Sequence, residues 1–466
     1  MAVARRLSPL SARQIAALAI GCIAVGVLSG LNPKYGIEGA LGLIFAVVTM
    51  MDVTLGFLLF TVASFLDLAS SSGSFSGTKV LGLVLAVSWL ARVGTRRGSD
   101  VVAFCSENPG LTFALVAMLG WAALSFAWAS SPNTAISGAA RYALVMLLVP
   151  IAYSAIRTRR YAVWVIAAFV VGAVISSAYG LVTSTASSGM DAGRLTGTIG
   201  EANGEATVLA AAIPMALSLL GVVRQSARLK LALLAAVLIL FAGLVGTLSR
   251  EGLVSLAAVM VAAVVFGGRW RRTAAMLLVV GATMTVGYYV LLAPATSLAR
   301  VTMSDTSGRS SLWTVAWRVI EAHPVLGVGN DNFVLVSSQY INRPGAIQAL
   351  YFINTPKLTH NTFLEAFADL GIPGLLTLVA VLGFCIASAV RAAWIFEALG
   401  DRDMELMARA VVLAIVAIIT SDMFVAAAYA KYLWIPLAIC PALLALARRA
   451  EQSGAVPAPA QALPEP

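Results

Sequence analysis

Apolar runs close to 20 residues long recur from one end of this chain to the other, and a run of that length, coiled as a helix, crosses the roughly 30 Å hydrocarbon core of a bilayer. Of the 466 residues, 60% are hydrophobic and only 11% are charged, and the mean hydropathy is +0.91. A soluble globule of this length would lack an adequate polar surface. The expected fold class is therefore all-α: a polytopic transmembrane helical bundle of about 12–14 spans, with one large periplasmic loop containing short helices.

The expected spans fall near residues 14–31, 36–51, 53–66, 78–92, 111–129, 138–156, 161–182, 204–223, 230–247, 252–267, 273–292, 362–390, 409–428 and 432–447. The first three are short and could be two or three. The chain then divides into N-terminal helices (1–182), central helices (183–292), a large loop (293–361), C-terminal helices (362–447) and a disordered Pro/Ala-rich tail (448–466). The first span is expected to be an uncleaved anchor, because no small-x-small cleavage site follows it. Cys22, Cys385 and Cys440 lie in expected spans and Cys105 near a loop, with no metal or pairing spacing among them.

Alternate connections collect the positive charge. Arg5, Arg6 and Arg13 come first, then Arg92, Arg96 and Arg97, then Arg157, Arg159 and Arg160, then Arg224, Arg228 and Lys230. Arg269, Arg271 and Arg272 follow, with Arg391, Arg402, Arg448 and Arg449 completing the series. All fall on one side, which the positive-inside bias makes cytoplasmic, with both termini inside. The formal charge of +10 is accounted for by short arginine clusters meeting anionic lipid head groups, and it implies no nucleic-acid partner.

The segment from about Pro294 to Thr359 is the large extramembrane piece, expected on the periplasmic or extracellular face. Ser307-Gly308-Arg309-Ser310-Ser311 reads as a helix start, and Leu312, Val315, Ala316, Val319 and Ile320 recur at helical spacing. That stripe is expected to lie on the membrane or on the bundle, with Trp313 and Trp317 at head-group depth. Pro324 ends the helix, and Gly327-Val328-Gly329-Asn330-Asp331-Asn332 follows as a turn-rich segment, whose glycines could let a backbone approach phosphate oxygens but which reads first as a plain loop. His323, just before Pro324, is expected to meet the helix dipole in a structural role.

His360 closes this loop at the mouth of an apolar helix, in Thr359-His360-Asn361-Thr362-Phe363-Leu364-Glu365. It could be part of an interfacial cap, or it could move a proton. Three arginines fall on the same expected face: Arg194, Arg250 in a turn too short to leave the bilayer edge, and Arg309. A charge at membrane depth costs about 2.5–3.5 kcal/mol at a helix centre and normally has a partner. For Arg250 the partner could be Glu251 or Asp422, or a phosphate, since guanidinium forks match phosphate oxygens in pairs. Asp422, inside a span, could orient a substrate or neutralise an arginine, and Asn361 stands next to His360. Glu365 and Asp369, one turn apart, read as solvated or paired structural acids.

The order of Arg194-Leu195-Thr196-Gly197 with Asn203, Ser249-Arg250-Glu251-Gly252, Gly308-Arg309-Ser310-Ser311-Leu312-Trp313, Pro324-Val325-Leu326-Gly327-Val328-Gly329, His360-Asn361-Thr362-Phe363-Leu364-Glu365 and Gly371-Ile372-Pro373-Gly374 resembles the O-antigen ligase and polymerase superfamily. The similarity covers roughly residues 190 to 380. It implies a membrane glycosyltransferase of the bacterial inner membrane, whose donor is a glycan on undecaprenyl pyrophosphate and whose acceptor is lipid A core, a growing glycan or a protein hydroxyl. It also implies that His360 is the base and that Arg250 and Arg309, with Arg194 as a third, bind the diphosphate.

The chemistry fits those residue types. A hydroxyl attacking an anomeric carbon must lose its proton, and the leaving diphosphate must be stabilised. Histidine near pH 7 serves the first need and arginines the second. The reading uses no cofactor and no metal, since the chain offers two histidines, no cysteine cluster and no Asp-x-Asp pair on that face. Attack opposite the leaving group inverts the centre. An alternative of another class is a polyprenyl-glycan flippase or transporter, which would spread its charged residues along a central path and is commonly built from repeats; no internal repeat is visible here.

Overall fold

The structure is a computed structural model, which describes residues 33–66, 77–95, 99–183, 193–224, 226–287, 309–341 and 357–454. The expected span at 14–31 lies outside these residues, as do Arg5, Arg6, Arg13, Arg96, Arg97, Cys22 and the tail from Ala455. Every regular element among the described residues is helical. The N-terminal part comprises α1 (Pro33–Met51), α2 (Val53–Ala63), α3 (Gly77–Thr95), α4 (Ser99–Glu107), α5 (Pro109–Leu124), α6 (Pro132–Met146), α7 (Leu148–Ala155) and α8 (Arg159–Thr183). The central helices are α9 (Ala202–Val222), α10 (Ala227–Gly246), α11 (Arg250–Phe266) and α12 (Arg271–Gly287). After them come α13 (Arg309–Ala322) and the single turn α14 (Phe333–Val336), then α15 (Thr362–Ala398), α16 (Arg402–Asp422) and α17 (Lys431–Gln452).

Among the described residues, nine helical segments are long and apolar enough to cross a membrane. α11 and α12, with 17 residues each, pack against one another. The chain is thus a multi-pass helical membrane protein. Its centre is α9, which carries buried Ala206, Ala210, Ala211, Ala212 and Ala216 and lies against α16. Small side chains let helices approach closely, which matters where lipid removes the hydrophobic drive between them. α17 packs against α15 and α7, burying Trp434 among them.

At one end of the bundle the arginine-bearing connections are tied by acids as well as facing outward. Arg159 bonds Asp401 at 3.1 Å and Asp403 at 2.7 Å, and Arg224 reaches the same Asp403 at 2.8 Å. Arg269 meets Glu405 at 2.7 Å, while Arg409 bridges Glu405 at 3.0 Å and Glu397 at 2.6 Å. Head-group attraction therefore accounts for only part of the basic bias. The same pairing explains why α16 starts at Arg402, upstream of the expected 409: its charged first turns are neutralised in place.

The opposite end carries a small cap with its own core. Val315, Ala316, Val319 and Ile320 of α13 pack on Val328, Phe333, Val336, Tyr340 and Ala368. The stripe read from the sequence therefore faces the bundle, not lipid. Ala368 belongs to α15, and α15 is two pieces, because Gly371 breaks it at φ 65°, ψ −164°. The expected span 362–390 is corrected accordingly: Thr362–Leu370 is a separate stretch that reaches the cap core, and the long helix restarts beyond Gly371.

A β-carbon on Gly371 would stand 2.0 Å from the Val325 carbonyl oxygen. Only glycine tolerates both that approach and the left-handed φ. The break frees backbone groups, and a buried polar group must find a partner. Val328 N donates to Ala368 O (3.0 Å), Gly329 N to Asp369 O (2.8 Å) and Trp121 Nε1 to Leu370 O (2.7 Å). Ile372 N, orphaned at the new helix start, donates to Pro324 O at 3.0 Å. The Pro324–Gly329 and Gly371–Gly374 motifs, far apart in sequence, are thus two halves of one junction.

Candidate functional site

Three non-glycine residues among the described ones have positive φ: Leu248 (49°), Asp331 (60°) and His360 (51°). Each costs of order 1–2 kcal/mol over an ordinary conformation. All three stand at the cap end, beside the residues the sequence singled out.

Leu248 closes the turn between α10 and α11. Ser249 caps α11, its Oγ accepting from Gly252 N at 3.3 Å, and its hydroxyl donates to Asn203 Oδ1 at 3.1 Å. Arg194 locks onto this turn from the preceding loop, Nε donating to Thr247 O (2.9 Å) and Nη2 to Asn203 Oδ1 (2.7 Å). Its own turn is held from below. Glu205, buried in α9, accepts from Ser176 Oγ at 2.7 Å, and Ser176 Oγ accepts in turn from Thr198 N at 2.9 Å. Arg250 and Glu251 open α11, Arg250 half-buried and Glu251 buried. The Glu251 carboxylate is ion-paired with Arg309, the first residue of α13, and the electrostatic influence of Arg194 also reaches it. Sequence spacing gave no sign that Arg309 and the Arg250 turn meet, for 58 residues separate Glu251 from Arg309.

His360 sits in a tight turn built by its neighbours. Asn361 caps α15, its Oδ1 accepting from Phe363 N (3.0 Å) and Leu364 N (2.9 Å). Thr359 Oγ1 accepts from Asn361 N at 3.2 Å and donates to Glu365 Oε2 at 3.1 Å. Trp313 of α13 donates from Nε1 to Thr359 O at 3.1 Å. None of these bonds uses the imidazole, so the turn fixes the backbone and leaves the ring to other work. Burial, then the charges of Arg309 and Lys357, hold His360 below its ordinary value of 6.5. That combination keeps the ring neutral, with a lone pair, at ambient pH.

Other candidates are placed differently. Asp422, at the end of α16, is buried with Oδ1 unbonded, and among the described residues no cation acts on its carboxyl. At this end of the bundle it is Glu251 that is ion-paired with Arg309. His323 Nε2 meets Tyr340 Oη at 2.9 Å, a structural contact inside the cap. Asp369 is not solvated. It is buried, and its carboxylate accepts from Asp331 N (2.8 Å), Asn332 N (3.1 Å) and Phe333 N (2.7 Å).

Those bonds hold Asp331 in an ion pair with Arg141 of α6, which sequence reasoning missed. The Arg141 guanidinium lies 4.7 Å from the centre of the Tyr429 ring, and Tyr429 Oη donates to Asn330 Oδ1 at 3.1 Å. Burial pushes the Asp331 carboxyl up, while Arg141 pulls it back. The loop that reads as plain is therefore a bonded platform. Tyr429's segment also grips the His360 helix, for Val425 O accepts from Thr362 N (3.1 Å) and Thr362 Oγ1 (2.8 Å). Among the described residues no group of three or more His, Cys, Asp or Glu could hold a metal ion.

The helical bundle defines a polytopic membrane protein, and its arginine- and histidine-bearing end is the candidate site. Residues 234–379 match the family described as O-antigen ligase, which places this stretch in the O-antigen ligase and polymerase superfamily. The matched stretch holds Arg250, Arg309 and His360, whereas Arg194, Asn203 and Asp422 lie outside it. No curated protein matches the chain.

Proposed function

We propose that this protein transfers a glycan from a polyprenyl-diphosphate donor to an acceptor hydroxyl, at the periplasmic face of a bacterial inner membrane. The family match supports a membrane glycosyltransferase of the O-antigen ligase or polymerase type. The observation that carries the finer reading is the meeting of Arg309 with the Arg250–Glu251 turn, beside a neutral His360. Their gathering at one end of the bundle supports transfer; a transporter would spread its charges along the interior.

In this mechanism the donor diphosphate lies against Arg250, Arg309 and Arg194. Arginine forks bind phosphate oxygens in pairs, and the poorly hydrated surroundings strengthen that attraction. The acceptor oxygen approaches the anomeric carbon on the side opposite the diphosphate. As the new C–O bond forms, the bond from that carbon to the phosphate oxygen breaks, so the centre inverts. The acceptor proton passes to a His360 ring nitrogen, and the electron pair of the broken bond stays on the diphosphate, where the arginines stabilise it. Glu251 holds Arg309 in position until the diphosphate arrives. We further propose the ligase reaction, with lipid A core as acceptor, over polymerisation of repeats.

The first test is His360→Ala in membranes with normal protein levels. Transfer is expected to fall by about 10²–10⁴; unchanged transfer would show that the base lies elsewhere. Incubating the purified protein with a lipid-linked repeat alone separates the two acceptors. Growth of the chain without another acceptor would establish the polymerase and reject the ligase.

A further inference from the structure

We propose that the groove between α13 and the first turns of α15 is the binding site for the acceptor glycan, an inference that rests on the transferase reading. The groove has a volume of about 650 Å³ and is lined by Trp313, Thr314, Trp317, Glu321 and Asn361 among others. That volume is within the roughly 300–1,000 Å³ of small-molecule sites.

The lining follows from helical spacing. Ser310, Trp313, Thr314, Trp317 and Glu321 recur every three or four residues, so they share one face of α13, opposite the face that Val315 and Val319 bury in the cap core. Hydroxyl, ring, hydroxyl, ring and carboxylate thus alternate along about 12–17 Å of helix. Glycans present the same alternation: patches of C–H on one ring face and rims of hydroxyl groups. Aromatic faces, negative at the π cloud, receive the C–H patches, while carboxylate and hydroxyl side chains bond the rims.

Both rings are held before any ligand arrives. Trp313 is fixed by its bond to Thr359 O, at 3.1 Å. Trp317 stands 52% exposed, and its ring meets Phe367 edge-on, with centroids 6.4 Å apart. Arg318 is turned to the wall, where Nη1 donates to Tyr340 O (2.9 Å) and Ile341 O (3.0 Å). A pre-set ring loses little freedom on binding.

Position gives the site its polarity. Trp313 bonds the residue that precedes His360, and Asn361, which follows His360, lines the groove. A glycan lying along α13 from Glu321 toward Trp313 therefore points its leading end at the turn that carries His360. A lipid tail would find this face half polar, with an exposed carboxylate at Glu321.

The test uses the full-length protein in lipid nanodiscs and the glycolipids extracted from cells of the source bacterium lacking this gene. Anion exchange separates diphosphate-linked glycans from the rest, and each fraction is offered as acceptor in its own arm, which shows the acceptor's source. Trp317→Ala and Glu321→Gln should each raise the acceptor KM about tenfold, with donor KM and kcat at saturation retained. Trp317→Phe, which keeps an aromatic face, should recover most of the loss. Acceptor KM unchanged in both variants, or a rise in donor KM alone, would overturn the groove assignment while leaving the transferase intact. If the unaltered protein moves glycan to neither fraction, the transferase reading fails, and the groove's role with it.

Discussion

His360 has φ of 51°, in a region that side-chain-bearing residues rarely adopt, and Asn361, Thr359 and Glu365 supply the bonds that keep it there. Strain of this kind persists only where its surroundings over-determine it. The depressed proton affinity of the ring gives a signed expectation. Below its pKa the imidazole carries a second proton and has no lone pair to accept another, so transfer should fall about tenfold per pH unit on the acid side. Because burial, Arg309 and Lys357 lower that pKa, the acid limb of kcat/KM should be centred below 6.5. Removing one cationic cause, in Lys357→Gln, should move the limb upward, and a limb that stays fixed or moves down would contradict the assignment. The residue types were legible in the sequence, since histidine before an apolar helix and arginine at a span edge are both costly placements. Their mutual arrangement was not, because the Glu251–Arg309 pair depends on two helix ends meeting in space.

At the scale of elements, the junction of Pro324–Gly329 with the break in α15 places everything near it. Gly371→Ala would drive a β-carbon to 2.0 Å from the Val325 oxygen, at a φ of 65°. The expected cost is about 2–4 kcal/mol, read as a lower thermal midpoint of the detergent-solubilised protein. Gly383→Ala is the control, for a β-carbon there meets nothing within 4 Å; equal shifts for the two would argue against the junction. Asp369→Ala would leave the Asp331 and Phe333 backbone N–H groups without their acceptor, Asn332 N keeping Gly329 O, and cost a similar amount, while freeing Asp331 from its place beside Arg141. Asp369 reads in the sequence as an ordinary helix acid, because its partners are backbone groups 36 to 38 residues away. Likewise Arg141, Asp331 and Tyr429 each look unremarkable alone, and only the closure of α6 on the cap makes them a cluster.

Over the whole molecule, α16 runs from the Asp403 ion pairs at one end to Asp422 beside the candidate site at the other, a rise of about 30 Å for its 21 residues. Charge bias in the sequence assigns the ion-paired end to the cytoplasm. Single cysteines test that sidedness in a background where the four natural cysteines are replaced. Val325 and Glu451 are both exposed, one in the cap and one at the far end of α17. A membrane-impermeant maleimide on spheroplasts should label Val325→Cys at once and Glu451→Cys only after lysis. The reverse pattern would put the site on the cytoplasmic face and remove the proposed reaction's location.

Sequence alone determined the membrane class, the positions of most helices and the residue types of the candidate site, because hydrophobic length, charge placement and the rarity of histidine are local properties of the chain. Tertiary structure decided which of those residues meet. It turned the stripe of α13 toward a cap core and split the long C-terminal helix at Gly371. It paired Arg309 with Glu251 and, among the described residues, gave Asp422 no ion-pair partner. Such outcomes depend on the packing of segments distant in sequence, where a carbonyl freed by one break is satisfied by another segment's N–H, and no local pattern carries that information.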